Sequence, residues 1–236
     1  MSFTPVLRSE WIKIRTLPSL VGSLGAVLLA TVAFSALGAV GTDGTDPLFS
    51  AFFGVGFGQT AAIAFGATAV SAEFHGGALR LTLSAVPDRG RWFAAKATAI
   101  GVPVLAVGLL TGPLTLAVAG AVSGATAPTW TEGLRGTLGC ALYLTLMALF
   151  AAGVAAVLRS GVATLSTLIP FLLIVSFVIG DMSGGVADFL PDRAGQVALH
   201  SSWDGTLGPW TGLAVTVLWA AAALLAGAWS LRRRDA

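Results

Sequence analysis

Residues Gly136–Leu158, GTLGCALYLTLMALFAAGVAAVL, run for 23 positions without an Asp, Glu, Lys or Arg. A helix rises about 1.5 Å per residue, so roughly 20 residues cover the ~30 Å hydrocarbon layer of a bilayer. Five more stretches read the same way: Leu17–Thr42, Pro47–Ala72, Ala97–Thr131, Ser160–Gly180 and Gly205–Leu231, between 21 and 35 residues long. A water-soluble domain would spread its charges over helix surfaces. Here the charges sit between the apolar blocks, so the blocks belong in lipid. The sequence predicts an all-α, polytopic membrane helix bundle with six transmembrane helices.

Composition agrees. Charged residues make up 10% of the chain and mean hydropathy is +0.87, too little charge and too much apolar surface for an ordinary soluble fold. The blocks show no in–out alternation, which argues against a porin-like barrel. The net charge of +2 and pI near 9.2 do not point to nucleic acid, because most basic residues flank the apolar blocks. The partner that composition implies is the lipid bilayer. Cys140 lies alone inside the fourth block and reads as a small packing residue. Eleven Arg against two Lys, with abundant Ala and Gly, suggests a GC-rich bacterial genome.

Orientation follows from the loops that carry positive charge. With the N-terminus in the cytoplasm, the inner segments hold Arg8, Lys13, Arg15, Arg80, Arg89, Arg91, Lys96, Arg159, Arg232, Arg233 and Arg234, and the outer segments only Arg135 and Arg193. Acidic residues lean outward, with Asp43, Asp46, Glu132, Asp181, Asp188, Asp192 and Asp204 there. Both termini are therefore expected to be cytoplasmic. The first block is longer than a signal-peptide core and follows a flank containing Glu10 and Trp11, so it is read as a retained span.

Residues 2–16 are expected to form an amphipathic helix in the headgroup layer, with Phe3, Leu7, Trp11 and Ile14 on one stripe and Arg8, Lys13 and Arg15 off it. Gly54 and Gly58 form a small-xxx-small face for close helix contact, within the bundle or against another subunit, and Gln59 is expected to hydrogen-bond a neighbouring helix. Pro103 and Pro113 should bend the third span, and Ala119–Thr131 should be loop. Pro170 is placed to kink the fifth span, and residues 181–208 to form short helices on or dipping into the outer face. Between spans two and three, Leu79, Leu83 and Val86 at i, i+4, i+7 predict a short helix ended by Pro87. Asp88-Arg89-Gly90-Arg91 then turns the chain into the third span.

Three elements occur in order around the six blocks: Arg8-Ser9-Glu10-Trp11-Ile12-Lys13-Ile14-Arg15-Thr16, the inner loop Glu73–Arg91, and Leu231-Arg232-Arg233-Arg234-Asp235. In this the chain resembles the type-2 ABC exporter permeases, and their actinobacterial small-permease branch in particular, over essentially its whole length. The resemblance implies one permease domain, 1–236, in a bacterial plasma membrane. Its interface helix would be 2–16 (Leu7, Arg8, Glu10, Trp11, Lys13, Arg15), and its coupling helix would lie within 73–91 (Glu73, His75, Gly77, Leu79, Arg80, Leu83, Pro87, Arg89, Arg91). Residues 181–208 would match the family's re-entrant outer helices. The implied partners are a soluble ABC ATPase dimer and a second permease subunit, like or unlike. ATP and Mg would be bound by the ATPase and no cofactor by this chain.

The chain has no phosphate-binding Gly-x-x-x-x-Gly-Lys-Ser/Thr loop, since its only lysines follow Ile12 and Ala95, so an ATP-driven engine must be another polypeptide. The inner loops offer it two sizeable surfaces, 2–16 and 73–96. The expected arrangement has Glu73 and Arg80 fixing the loop helix while Leu79 and Leu83 enter a groove of the ATPase. His75 and His200 are assigned to opposite sides, and no catalytic or metal-ligating cluster is legible. No enzyme activity is expected. An ion-coupled transporter would carry ionisable groups deep in its spans, and the blocks carry none. A non-transporting accessory or immunity-type subunit is the remaining alternative.

Overall fold

The computed structural model describes residues 3–41, 46–123, 128–176, 178, 185–203 and 205–233. Asp43, Asp181, Asp204, Arg234 and Asp235, and part of the loop expected at 119–131, lie outside the described residues. Every regular element among those described is a helix. In chain order they are α1 (Phe3–Thr16), α2 (Pro18–Gly41), α3 (Pro47–Phe52), α4 (Val55–Ser71), α5 (Ala78–Ala85), α6 (Arg89–Ser123), α7 (Trp130–Leu158), α8 (Gly161–Pro170), α9 (Pro191–Gln196) and α10 (Pro209–Arg233). Five helical stretches are long and apolar enough to cross a membrane: Pro18–Val40, Pro47–Phe74, Arg89–Val122, Trp130–Leu158 and Pro209–Arg233. They mark a multi-pass membrane protein. In the fifth apolar block the described apolar helix is Gly161–Ile174, shorter than these five.

Helix α7 is the hub, with 61% of its most apolar window buried against 22% for α2. Glycine and alanine let its neighbours approach: a Cβ on Gly66 of α4 would overlap the Ala148 backbone, one on Gly108 of α6 the Ala141 backbone, and one on Gly153 of α7 the Ala223 backbone of α10. These pairings also fix direction. Gly108 faces Ala141 while Gly112 faces Thr137, so α6 runs antiparallel to α7. Gly153 faces Ala223 and Gly227 faces Ala156, so α10 runs parallel to α7. Cys140 is buried in this packing.

The Gly54/Gly58 face is used within the chain. Cβ atoms there would strike the Thr31 carbonyl and hydroxyl of α2, and Gly54 N–H donates to Ser35 Oγ at 3.0 Å. Gln59 is buried and accepts the Tyr143 hydroxyl of α7, which in turn accepts from Gln196 Nε2 at 3.2 Å.

Helix α6 departs from its expected form. It continues through Pro103 and Pro113 to Ser123, leaving less loop than 119–131. A membrane helix tolerates proline where neighbouring groups re-satisfy the backbone. Around Pro113 the Thr111 and Thr115 hydroxyls donate back to the Val107 and Gly112 carbonyls, each at 2.7 Å, and not to the Leu109 carbonyl that the proline leaves without an N–H. At Pro170, α8 widens into a π turn, Phe171–Val175, as expected where the ring removes an intrahelical bond.

The two ends of the bundle differ chemically. At the α1 end, Arg89 Nη1 donates to the Leu231 carbonyl at 2.6 Å, Gly90 lies beside Arg232, and the Arg159 guanidinium sits 5.5 Å from the Phe74 ring centroid. At the far end, Asp46 caps α3 through Phe49 N–H at 3.0 Å and accepts Ser201 N–H at 3.0 Å, with His200 Nδ1 at 3.0 Å. Thr129 and Glu132 close a capping box at the start of α7. The segment from Pro191 to Leu199 does not stay on the surface. Gly195 presses on the Tyr143 ring and Gly139 on Ala198, while the Thr216 hydroxyl donates to the Pro191 carbonyl at 3.1 Å. Tyr143 is about 20 Å along α7 from Trp130 at 1.5 Å per residue, so this segment re-enters the bundle.

Candidate coupling site

Two carboxylates and two ammonium groups meet where α1 crosses the bundle end. Glu10, at the midpoint of α1, is 0% exposed, and Glu73, in the 3₁₀ turn Ala72–Phe74 after α4, is 4% exposed. Lys13 Nζ stands 2.9 Å from Glu10 Oε1 and 2.9 Å from Glu73 Oε1. Lys96 Nζ, buried on α6, stands 2.7 Å from Glu73 Oε1 and also pairs with Glu10 Oε2. Trp92 Nε1 donates to Glu10 Oε1 at 3.2 Å, and Thr82 of α5 donates to Glu73 Oε2 at 3.5 Å. Four chain segments are fastened together: α1, the turn after α4, α5 and the first turns of α6.

Local sequence explains each placement. Glu10 and Lys13 are three apart on α1, and Trp92 and Lys96 four apart on α6, so each pair shares a helix face. Gly76 and Gly77 have φ of 63° and 76°, a left-handed path open to glycine that bends the chain from the turn into α5. The charges alternate in sign and sum to zero, the condition under which ions can be buried. Burial works against the charge on Lys13. Its bonds to Glu73 and Glu10 more than offset that, so its ammonium is held above the ordinary lysine range.

Several expected contact residues are committed elsewhere. The buried face of α1 is Val6, Glu10 and Ile14, rather than the stripe Phe3, Leu7, Trp11 and Ile14. The quartet turns the helix so that Glu10 faces inward. Phe3 is left exposed, and Leu7 and Trp11 line an apolar groove of about 430 Å³ with Thr98 and Val102 of α6. Glu10 is thus internal, with Lys13 at the edge and Arg8 and Arg15 exposed.

Leu79 and Leu83 also differ from expectation. Leu79 is 5% exposed in the chain's own core and Leu83 packs against that core, so neither is free to enter a partner's groove. The apolar stripe of α5 serves the protein's own packing. The side chain presented outward is Leu81, 75% exposed, beside exposed Arg80, Ser84 and Pro87. His75 is exposed with Nδ1 2.9 Å from the Ser71 carbonyl oxygen, and Arg91 pairs with Asp88 at 3.6 Å. Arg89 is spent on the Leu231 carbonyl. Gly54, Gly58 and Gln59 lie between α2, α4 and α7, away from this end.

Lys96 and Trp92 escaped the sequence reading, which treated Lys96 as a topology signal. The available signal was the rarity of lysine: the chain has two, and both are in the quartet. No protein-family model matches the chain, and no curated protein matches it either.

Proposed function

We propose that this chain is the membrane-spanning half of an ATP-binding cassette exporter in a bacterial plasma membrane. It would move a hydrophobic or amphipathic substrate outward with ATP hydrolysed by a separate soluble ATPase dimer, alongside a second permease subunit. The observation that carries the reading is the buried quartet Glu10–Lys13–Glu73–Lys96. Through it, a displacement applied to the exposed face of α5 at Arg80, Leu81 and Ser84 is delivered together to α1, α4 and α6. An exporter driven by a cytoplasmic motor needs such a rigid receiving platform. Burial of the fasteners inside the chain leaves Leu81 exposed for contact.

Six crossings with both termini cytoplasmic fit this reading. The parallel run of α7 and α10 supports a return across the layer between Leu158 and Pro209. The apolar stretch beginning at Gly161 is the segment able to do it. The cationic α1 end would then be cytoplasmic. Trp130, Trp203 and Trp210 would belong to the outer interfacial belt, and Trp11 and Trp229 to the inner one.

The test is to look for a soluble Walker-A protein in the neighbouring reading frames, co-express it with the tagged chain, and assay co-purification and ATP-dependent efflux; absence of any such frame would count against the proposal. The expected result is a stable complex, ATPase activity dependent on both chains, and efflux lost on deleting this one. A chain that purifies alone, and whose deletion leaves efflux intact, would overturn the proposal.

A further inference from the structure

The re-entrant segment encloses a cavity of about 830 Å³ with α3, α4 and the α8–π stretch. One wall is aromatic: Phe49, Phe53 and Phe57 line it, with Phe53 and Phe57 ring centroids 5.8 Å apart. The opposite side is polar, made by Gln59, Gln196 and Asp192. Asp192 is 7% exposed, and its Oδ1 is buried with no hydrogen-bond partner among the described residues. Ser176 Oγ, also in the lining, lies beside the Asp192 carboxyl without a well-formed hydrogen bond to it, while the Ser176 carbonyl accepts from Arg193 Nε at 3.2 Å.

A buried carboxylate oxygen short of well-formed hydrogen bonds is costly to keep in a bundle unless a ligand completes it. Ionisable groups at membrane depth mark ligand or ion paths more often than packing. Among the Asp, Glu, Lys and Arg side chains lining the cavity, Asp188 and Asp192 stand against Arg193, a formal excess of one negative charge. An anion would add to that excess, and a neutral apolar molecule would leave Asp192 unmatched. Aromatic faces attract cations through the ring quadrupole.

We infer that this cavity is a binding site for a lipophilic cation, whose charged head is held by Asp192 and whose apolar body lies against Phe49, Phe53 and Phe57. As a statement about cargo this rests on the export reading; as a statement about binding it does not. The volume suits a drug-sized molecule. Gln59, held through Tyr143 to Gln196, keeps the polar side in place while the head is bound.

The probe is tetraphenylphosphonium, measured by equilibrium dialysis against the full chain in zwitterionic nanodiscs, with empty nanodiscs subtracting partition into lipid. Tetraphenylborate, of the same shape and opposite charge, is the control. Saturable phosphonium binding is expected, weakened at least tenfold by Asp192→Asn, with no saturable borate binding. Phe57→Leu, at a ring 44% exposed and stacked on Phe34, keeps an apolar side chain there; it should weaken binding severalfold and supplies a second reading if Asp192→Asn does not yield monodisperse protein. Absent saturable phosphonium binding, unchanged affinity in a folded Asp192→Asn protein, unchanged affinity in Phe57→Leu, or equal binding of the borate would each overturn the inference. Because no ATPase is present, this binding measurement stands apart from the export reading: efflux intact after deletion of the chain in the co-expression test would sink that reading and leave the binding inference standing.

Discussion

Lys96 Nζ and Glu73 Oε1 stand 2.7 Å apart, joining the start of α6 to the turn that follows α4. Both are buried, and each also holds a residue of α1: Lys96 holds Glu10, and Glu73 holds Lys13. Pulling on any one of the three segments therefore strains two ion pairs at once. This shared bonding, more than apolar contact, makes the bundle end a single body.

Lys96→Met should leave Glu10 and Glu73 sharing Lys13 alone. Removing one partner of a buried ion pair costs about 3–5 kcal/mol. The melting temperature in detergent should fall steeply. The double variant Glu10→Gln/Lys96→Met restores neutrality, leaving Glu73 with Lys13, and should recover at least half of the loss. Additive losses in the two single variants and the double would show that the four groups do not act as a unit.

Leu81→Asp and Leu79→Asp separate the outer and inner faces of α5. Leu81 is exposed, so its substitution should leave melting within about 0.5 kcal/mol of wild type. Under the export reading it should still lower co-purification of the ATPase at least tenfold. Leu79 is buried, and an unpaired carboxylate there should prevent accumulation of folded protein. Unchanged capture of the ATPase by Leu81→Asp would remove α5 as its docking element.

Much of this architecture was legible before any coordinates, and the exceptions share one cause. Charge-free length located the long spans, the Gly54–Gly58 spacing located a close contact, and Pro87 with Asp88 located the turn into α6. Periodicity misjudged α1 because it scores Glu10 as a surface residue. Lys96, which pairs with its charge, and Trp92, which donates to it, are more than eighty positions away. The same holds for Asp192 and Arg193. Their composition reads as exposed loop, and only the fit of Gly195 against Tyr143 puts them at depth. Long-range compensation of charge leaves no local signature.

Gly54→Ala and Gly56→Ala form a matched pair two residues apart. A Cβ at Gly54 would collide with the α2 backbone at Thr31 and Ser35, whereas nothing lies within 4 Å of one at Gly56. Forcing α2 and α4 apart should cost about 1–3 kcal/mol, as overpacking does. Gly56→Ala should be neutral or slightly stabilising, since alanine favours helix by about 1 kcal/mol. Equal melting of the two variants would show that this helix contact is looser than the packing described.

Asp46 gives the far end an acid-sensitive tie. Burial opposes its charge, but the N–H groups of Phe49 and Ser201, with the Ser201 and His200 side chains, more than offset it and hold its carboxyl below the usual aspartate range. The unfolded chain therefore binds more protons than the folded one in this window, and stability rises with pH there. The contribution is complete above the ordinary value of 3.8 and is lost as pH falls through the lower folded value. Asp46→Asn should flatten the loss of thermal stability between pH 5 and pH 3, a span of roughly two units around the unfolded aspartate value. Asp46→Ala also removes the α3 cap and should cost about 0.5–2 kcal/mol at neutral pH. In the same variant Ser201 N–H and His200 lose their acceptor, so limited proteolysis should speed between residues 200 and 208 while the α1 end stays protected. An acid profile identical in Asp46→Asn and wild type would place the acid-sensitive group elsewhere.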